Sequence, residues 1–154
     1  MRVRRTSGDD PVALHLVARM TAEIRELYGG HEMPPESAAS PAQLSPPGGG
    51  FVVLEEDGTP LAGGGVKQLD ERTGEIKRMY VVPEARGSGL GSRLLEELEA
   101  LARDLGYAIA RLDTGARQPG AQRLYERAGY VAIPDFNGDA HAAWWGEKRL
   151  RATD

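Results

Sequence analysis

Residues 75–106, EIKRMYVVPEARGSGLGSRLLEELEALARDLG, decide how this chain is read. An apolar run from Glu75 to Val82 stops at Pro83 and enters a glycine-dense turn, Arg86-Gly87-Ser88-Gly89-Leu90-Gly91. Beyond it, Leu90, Leu94, Leu95, Leu98, Leu101 and Leu105 recur at the spacing that lines one face of a helix, and Gly106 ends that helix. The glycines remove the Cβ atoms that would hold a ligand away from the backbone. The start of the helix adds unpaired N–H groups and a partial positive charge. The stretch therefore predicts a strand, a phosphate seat and a helix, in that order.

Working outward, residues 2–6 predict a first strand. Residues 11–28 predict an amphipathic helix on Leu16, Val17, Met20, Ile24 and Leu27, with Asp9 or Asp10 as cap and Pro11 near its first position. Residues 31–50 are rich in Pro, Ser, Ala and Gly and read as a loop, with one short helix around 35–44. Residues 51–55 and 61–69 form a hairpin about Asp57-Gly58, and Gly63, Gly64 and Gly65 signal a bulge or a close backbone approach. After a turn at 70–74 come a strand over 75–82, the leucine helix, a strand over 109–114, a short helix over 121–128 and strands over 130–133 and 142–150. This order gives a mixed sheet with helices rather than a regular βαβ array. A length of 154 residues without a linker or repeat predicts one domain over 1–154.

Glycine spacing separates three phosphate loops. A Walker loop ends in Gly-Lys-Ser/Thr, whereas this turn ends Gly91-Ser92-Arg93. A dinucleotide fingerprint needs G-x-G-x-x-G, and Ser92 stands at its third glycine; Asp113 on the next strand makes that match partial. The third loop is R-x-x-G-x-G after a strand ending Val-x-Pro. It resembles the acetyl-coenzyme A loop of the GNAT superfamily of N-acetyltransferases. Downstream, QPGAQRLYERAGY over residues 118–130 is similar to that family's second motif, N-x-x-A-x-x-L-Y-E-x-x-G-F. Ala121, Leu124, Tyr125, Glu126 and Gly129 match it, while Gln118 replaces the usual Asn and Tyr130 the usual Phe.

The resemblance implies an α+β fold, with a mostly antiparallel mixed sheet of six to seven strands and about four helices. It implies that strands 75–82 and 109–114 start side by side and splay apart. Acetyl-CoA would be the co-substrate. Its pantetheine would pair with the backbone of Met79, Tyr80 and Val81, and its pyrophosphate would meet the N–H groups of Gly87, Ser88, Gly89, Leu90, Gly91 and Ser92. Arg86 and Gln118 complete the implied cofactor set. The implied reaction is direct transfer, in a ternary complex, to a primary amine that is a small molecule or an amino-terminal or lysyl group. The alternative is a non-catalytic acyl-CoA-binding or sensing domain on the same fold. A homodimer is open, because many relatives dimerise.

Acetyl transfer needs a neutral amine, donors for an oxyanion and a proton for the leaving thiolate. Tyr125 matches the family's acid, against the plain alternative of a core residue on a short helix. Glu75 matches a general-base position in similar proteins, against a surface charge paired with Lys77 or Arg78; ordered water is the other open base. His31, Glu32 and Glu36 are acceptor-side candidates, and Trp144 or Trp145 lines the acceptor pocket while alternation sends the other to the core.

Composition narrows the class. A hydrophobic fraction of 40% and a charged fraction of 27% are those of a globular protein, and the net charge of −4 disfavours nucleic-acid binding. Cysteine is absent and the three histidines are scattered, so no metal site is expected. No signal-like segment or membrane-length apolar run occurs, so the default expectation is a cytoplasmic protein without membrane contact.

Overall fold

A computed structural model describes residues 1–29 and 39–150. The elements are β1 (Arg2–Thr6), α1 (Pro11–Leu27), β2 (Gly50–Glu56), β3 (Thr59–Gln68), β4 (Thr73–Val81), α2 (Leu90–Asp104), β5 (Ile109–Gly115), α3 (Pro119–Arg127), β6 (Val131–Ala132) and β7 (Ala142–Arg149). The seven strands form one sheet in the order β1-β2-β3-β4-β5-β7-β6. Every pairing is antiparallel except β4 with β5. Three α-helices and one 3₁₀ turn at Pro83–Ala85 occur among the described residues, against about four helices expected. The helix expected at 35–44 falls partly outside them; residues 41–48 are consecutive turns and a bend, where prolines remove the N–H groups a helix needs.

Both faces of the sheet are covered, which explains why β2 reads as an unbroken apolar run. Val52 and Leu54 face a core built with Leu94, Leu95 and Leu98 of α2, Leu112 of β5 and Tyr125 of α3. Phe51 and Val53 face the opposite core, with Ala13, Leu16 and Met20 of α1 and Leu44. Helix α1 is seated by Asp10. One carboxylate oxygen accepts the Val12 N–H at 2.9 Å, and the other accepts from Arg4 and Thr6 of β1, both at 3.0 Å. A single side chain thus caps the helix and ties it to the edge strand.

The three glycines of β3 sit where neighbours crowd the backbone. A Cβ on Gly63 would lie 2.7 Å from a Leu16 methyl, and one on Gly64 would lie 2.9 Å from a Leu98 methyl. Both helices therefore approach the sheet more closely than a substituted strand allows. The β3–β4 register also shifts here: Gly63 pairs with Tyr80 but Gly65 with Lys77, so Arg78 and Met79 together oppose Gly64. This is a β-bulge, and Arg78 takes the left-handed φ of 60°. Beside it, β4 and β5 pair over just three positions, Thr73–Glu75 with Ile109–Arg111. The strands then separate, as expected of 75–82 and 109–114.

The Arg4 hydrogen bond, followed by the Val12 and Thr6 bonds, holds the Asp10 carboxyl down at about 2. A depressed carboxyl contributes stability above its unfolded value of about 4, and that contribution disappears as pH falls from about 4 to about 2. Asp10→Ala should cost about 1 kcal/mol in urea unfolding at pH 7. The gap from the parent protein should narrow across that acidic window.

Candidate functional site

The opening between β4 and β5 leads to two cavities. One, about 350 Å³, lies under the C-terminal half of α1 and is lined by Arg25, Tyr28, Lys77, Arg78, Asp113, Asp139 and His141, among others. The other, about 440 Å³, runs along Met79, Tyr80 and Val81 to the glycine turn and is closed by Gly120, Ala121, Leu124 and Tyr125 of α3. Met79, Ala121 and Tyr125 line both. The cavities therefore meet at one point.

The glycine turn follows from local chemistry. Gly87 and Gly89 have φ of 84° and 83°, conformations that side chains resist. Gly89 is the N-cap of α2 and supplies no side-chain hydrogen bond, so the first N–H groups of the helix remain available. The preceding 3₁₀ turn at Pro83–Ala85 accounts for the extra length before the glycines. Gly87, Gly89, Leu90 and Gly91 line the second cavity, and Ser88 and Ser92 flank them in the turn and the first turn of α2. Arg86 also lines it, but its guanidinium is committed: Nε donates to the Val81 carbonyl at 3.0 Å and Nη2 to Glu23 of α1 at 2.7 and 2.9 Å. Gln118 lies instead on the wall of the first cavity, where its side-chain oxygen accepts the Gly115 N–H at 3.3 Å.

Tyr125 is buried at 7% exposure and stacks on Trp144 at 6.4 Å between ring centroids. Its hydroxyl has one partner among the described residues, the Met79 thioether at 3.9 Å. Sulfur is a weak acceptor, so this O–H is nearly unspent. Burial, then the negative charge of Asp113, pushes the phenol well above its ordinary value, so it remains protonated.

Glu75 is 1% exposed and does not line either cavity. It accepts from Asn137 at 3.0 Å and pairs with Lys77 at 3.4 Å and Lys67 at 3.9 Å. The Asn137 amide also donates to Asp113, while its oxygen accepts the Trp145 indole N–H at 3.0 Å, which fixes the amide's orientation. Asp113, unlike Glu75, faces the first cavity. Burial raises its carboxyl above the ordinary range; Lys77 and the Asn137 bond oppose that, and Asp139 and Glu75 reinforce it. Neither Trp144 nor Trp145 lines a cavity: Trp144 packs on the core and Trp145 holds Asn137. His31, Glu32 and Glu36 lie outside the described residues.

Residues 17–130 match the family model described as the acetyltransferase (GNAT) family. The chain belongs to the GNAT acetyltransferase family. Acetyl-CoA-dependent N-acetylation is that family's general reaction. An N-acetyltransferase of Escherichia coli K12, YjgM, is 30% identical over 84% of this chain and 81% of its own. The IAA acetyltransferase of Azospirillum brasilense is 38% identical, and the match spans about half of that relative: 53% of this chain and 54% of its own. The crystal structure of a Klebsiella pneumoniae protein described as an acyl-CoA N-acyltransferase superposes with a TM-score of 0.77, at 28% identity, over 97% of both chains. No helix among the described residues of this family member is long and apolar enough to cross a membrane.

No motif marks Arg78 or Asp113 as lining a cavity, nor Asn137 as the amide between two carboxylates. The bulge places Arg78, and its one legible signal was the glycine triplet on the opposing strand. Asn137 and Asp113 meet through tertiary contact alone. A left-handed arginine costs of order 1 kcal/mol, and the Nε of Arg78 is shielded from solvent with no acceptor. Arg78→Gly should therefore raise unfolding stability by about 1 kcal/mol, read as a higher urea midpoint at unchanged slope.

Proposed function

We propose that this protein moves an acetyl group from acetyl-CoA to a primary amine on a small molecule, with donor and acceptor bound together. The observation that carries this reading is the convergence of two cavities at Met79, Ala121 and Tyr125. The second cavity suits acetyl-CoA. Its pyrophosphate would lie on the N–H groups from Gly87 to Ser92, where the uncapped helix start favours an anion. Its pantetheine would follow the β5-facing edge of β4 at Met79, Tyr80 and Val81, which lacks a strand partner past Glu75 among the described residues. Arg86 and Gln118 would then shape the ends of the donor site: Arg86 by tying the loop to Glu23, and Gln118 by closing the turn before α3.

The amine nitrogen attacks the thioester carbonyl, and the carbon–sulfur bond breaks as the tetrahedral intermediate collapses. Tyr125 gives its proton, or a full hydrogen bond, to the departing thiolate. Backbone N–H groups at the bulge, from Met79 to Val81, are the oxyanion donors. The amine's proton passes to the carboxylate pair: Asp113 stands at the wall, and Glu75 behind it raises Asp113's appetite for a proton. Glu75 keeps a part in the base function without touching the amine.

Thiol release from acetyl-CoA with a panel of amines tests the reaction, and intersecting initial-velocity lines test the ternary complex; parallel lines would count against it. Tyr125→Phe should lower kcat about 10²-fold. Acetyl-CoA affinity by calorimetry should stay within about twofold, because the ring still fills the core and the hydroxyl loses just its sulfur contact.

Glu75→Gln removes a negative charge beside Asp113 and frees Lys77, and both changes favour the ionised Asp113. The acid limb of the kcat/KM profile should therefore move to lower pH. Loss of that limb altogether would make Glu75 the base in its own right.

A further inference from the structure

We infer that the acceptor amine carries a carboxylate, and that Arg78 is the residue that recognises it. This rests on the acetyl-transfer reading above and adds the chemical class of the acceptor. The argument starts from a cation held at a cost. Arg78 stands at the bulge of β4, with a backbone conformation that arginine adopts rarely, and its side chain lines the first cavity. Its Nε is cut off from solvent and has no acceptor, and Arg78 enters no ion pair among the described residues. A guanidinium presents a flat fork of donors that matches a carboxylate with two parallel hydrogen bonds. Nothing among the described residues uses that fork.

The remaining charges of the cavity agree. Arg25 lines its mouth from the last turn of α1 and is likewise outside every ion pair among the described residues. Lys77 is held by Glu75 at 3.4 Å, in a pairing that Glu75 shares with Lys67 at 3.9 Å. The two carboxylates on the wall are engaged locally: Asp113 with the Asn137 amide, and Asp139 with the His141 N–H at 2.9 Å. Asp139 draws on Arg78 by charge without forming an ion pair with it among the described residues, and burial is the larger influence on the guanidinium. The cavity thus offers an unspent cation on one wall and a proton-accepting carboxylate on another. That pairing fits a molecule with an amine and a carboxylate a few bonds apart. A volume of about 350 Å³ is that of a small-molecule site.

The test compares α- and β-amino acids with their own carboxamides, which keep the amine and lose the anion. Wild-type protein should favour the acid by at least about tenfold in kcat/KM. Arg78→Gln should bring that ratio close to one, and Arg78→Lys should keep part of it, since an ammonium retains the charge and loses the fork. A ratio near one in wild type, or an unchanged ratio in Arg78→Gln, overturns the inference while the acetyl-transfer reading stands. Acetyl-CoA binding with no thiol release on any amine overturns that reading, and this inference with it. A merely structural role for Arg78 would lower both members of each pair together and leave the ratio where it was.

Discussion

The bulge in β4 is the constraint from which the rest follows. One extra residue opposite Gly64 turns the strand, and β4 leaves β5 after three paired positions. The sheet continues on either side, because β4 stays paired with β3 and β5 with β7. A gap therefore opens in the middle of a sheet whose edges remain intact. Backbone groups along the gap face a cleft rather than a neighbouring strand, and such groups need partners. A ligand with amides of its own can supply them. The same bulge aims Arg78 into one cavity and sets Met79 at the junction of the two.

Glycine makes this geometry attainable. A side chain at Gly64 would meet Leu98 and the backbone of Met79, which would push α2 and the bulge apart. Close approach of α2 brings its uncapped N-terminus and the turn at Gly87–Gly91 to the end of the gap. The proposed donor side is thus assembled from a strand edge, a turn and a helix start that lie consecutively in the chain. The proposed acceptor side is not consecutive. It collects Arg25 from α1 and Tyr28 just past its end, Arg78 from β4, Asp113 from β5 and Asp139 and His141 from the segment before β7.

That contrast explains what the sequence made legible. The strands, the hairpin at Asp57-Gly58, the leucine helix and the glycine turn are local signals of period and turn chemistry, and the mixed sheet with helices expected from their order, which the family resemblance makes mostly antiparallel, is observed. The splay was expected because the two motifs, taken together, imply it. Tyr125 was legible from its motif, though not that its hydroxyl would be nearly unpartnered. Glu75 was legible as a residue of interest, but its place behind Asp113 depends on Asn137, sixty-two positions away in the chain. Arg78 looked like any charge on a strand, since a bulge that inverts one side chain's direction leaves its trace on the partner strand. Arg86 shows the same limit: motif position named it, and Glu23, sixty-three positions away, decided what it holds, whereas Gln118 closes a local turn onto Gly115.

Several of the costs in this structure gather in one place, although the Nε of Arg103 on α2 is also buried without an acceptor. A left-handed arginine with a stranded Nε, a buried phenol bonded to sulfur, and a buried and a half-buried carboxylate sharing one amide all lie around the same junction. Each works against stability, since buried polar groups without full partners cost free energy and like charges resist ionising together. The two cores are apolar and closely packed, and they offset these costs. Selection for stability alone would remove such groups, because an apolar side chain at any of these positions would cost less to bury. Their gathering at one point, where two cavities meet, is what the proposed reaction would need, since it brings a thiolate, an amine and an anion together. On that proposal the strain has a use: each unsatisfied group is a partner already in place for a charge that would arrive with the substrates.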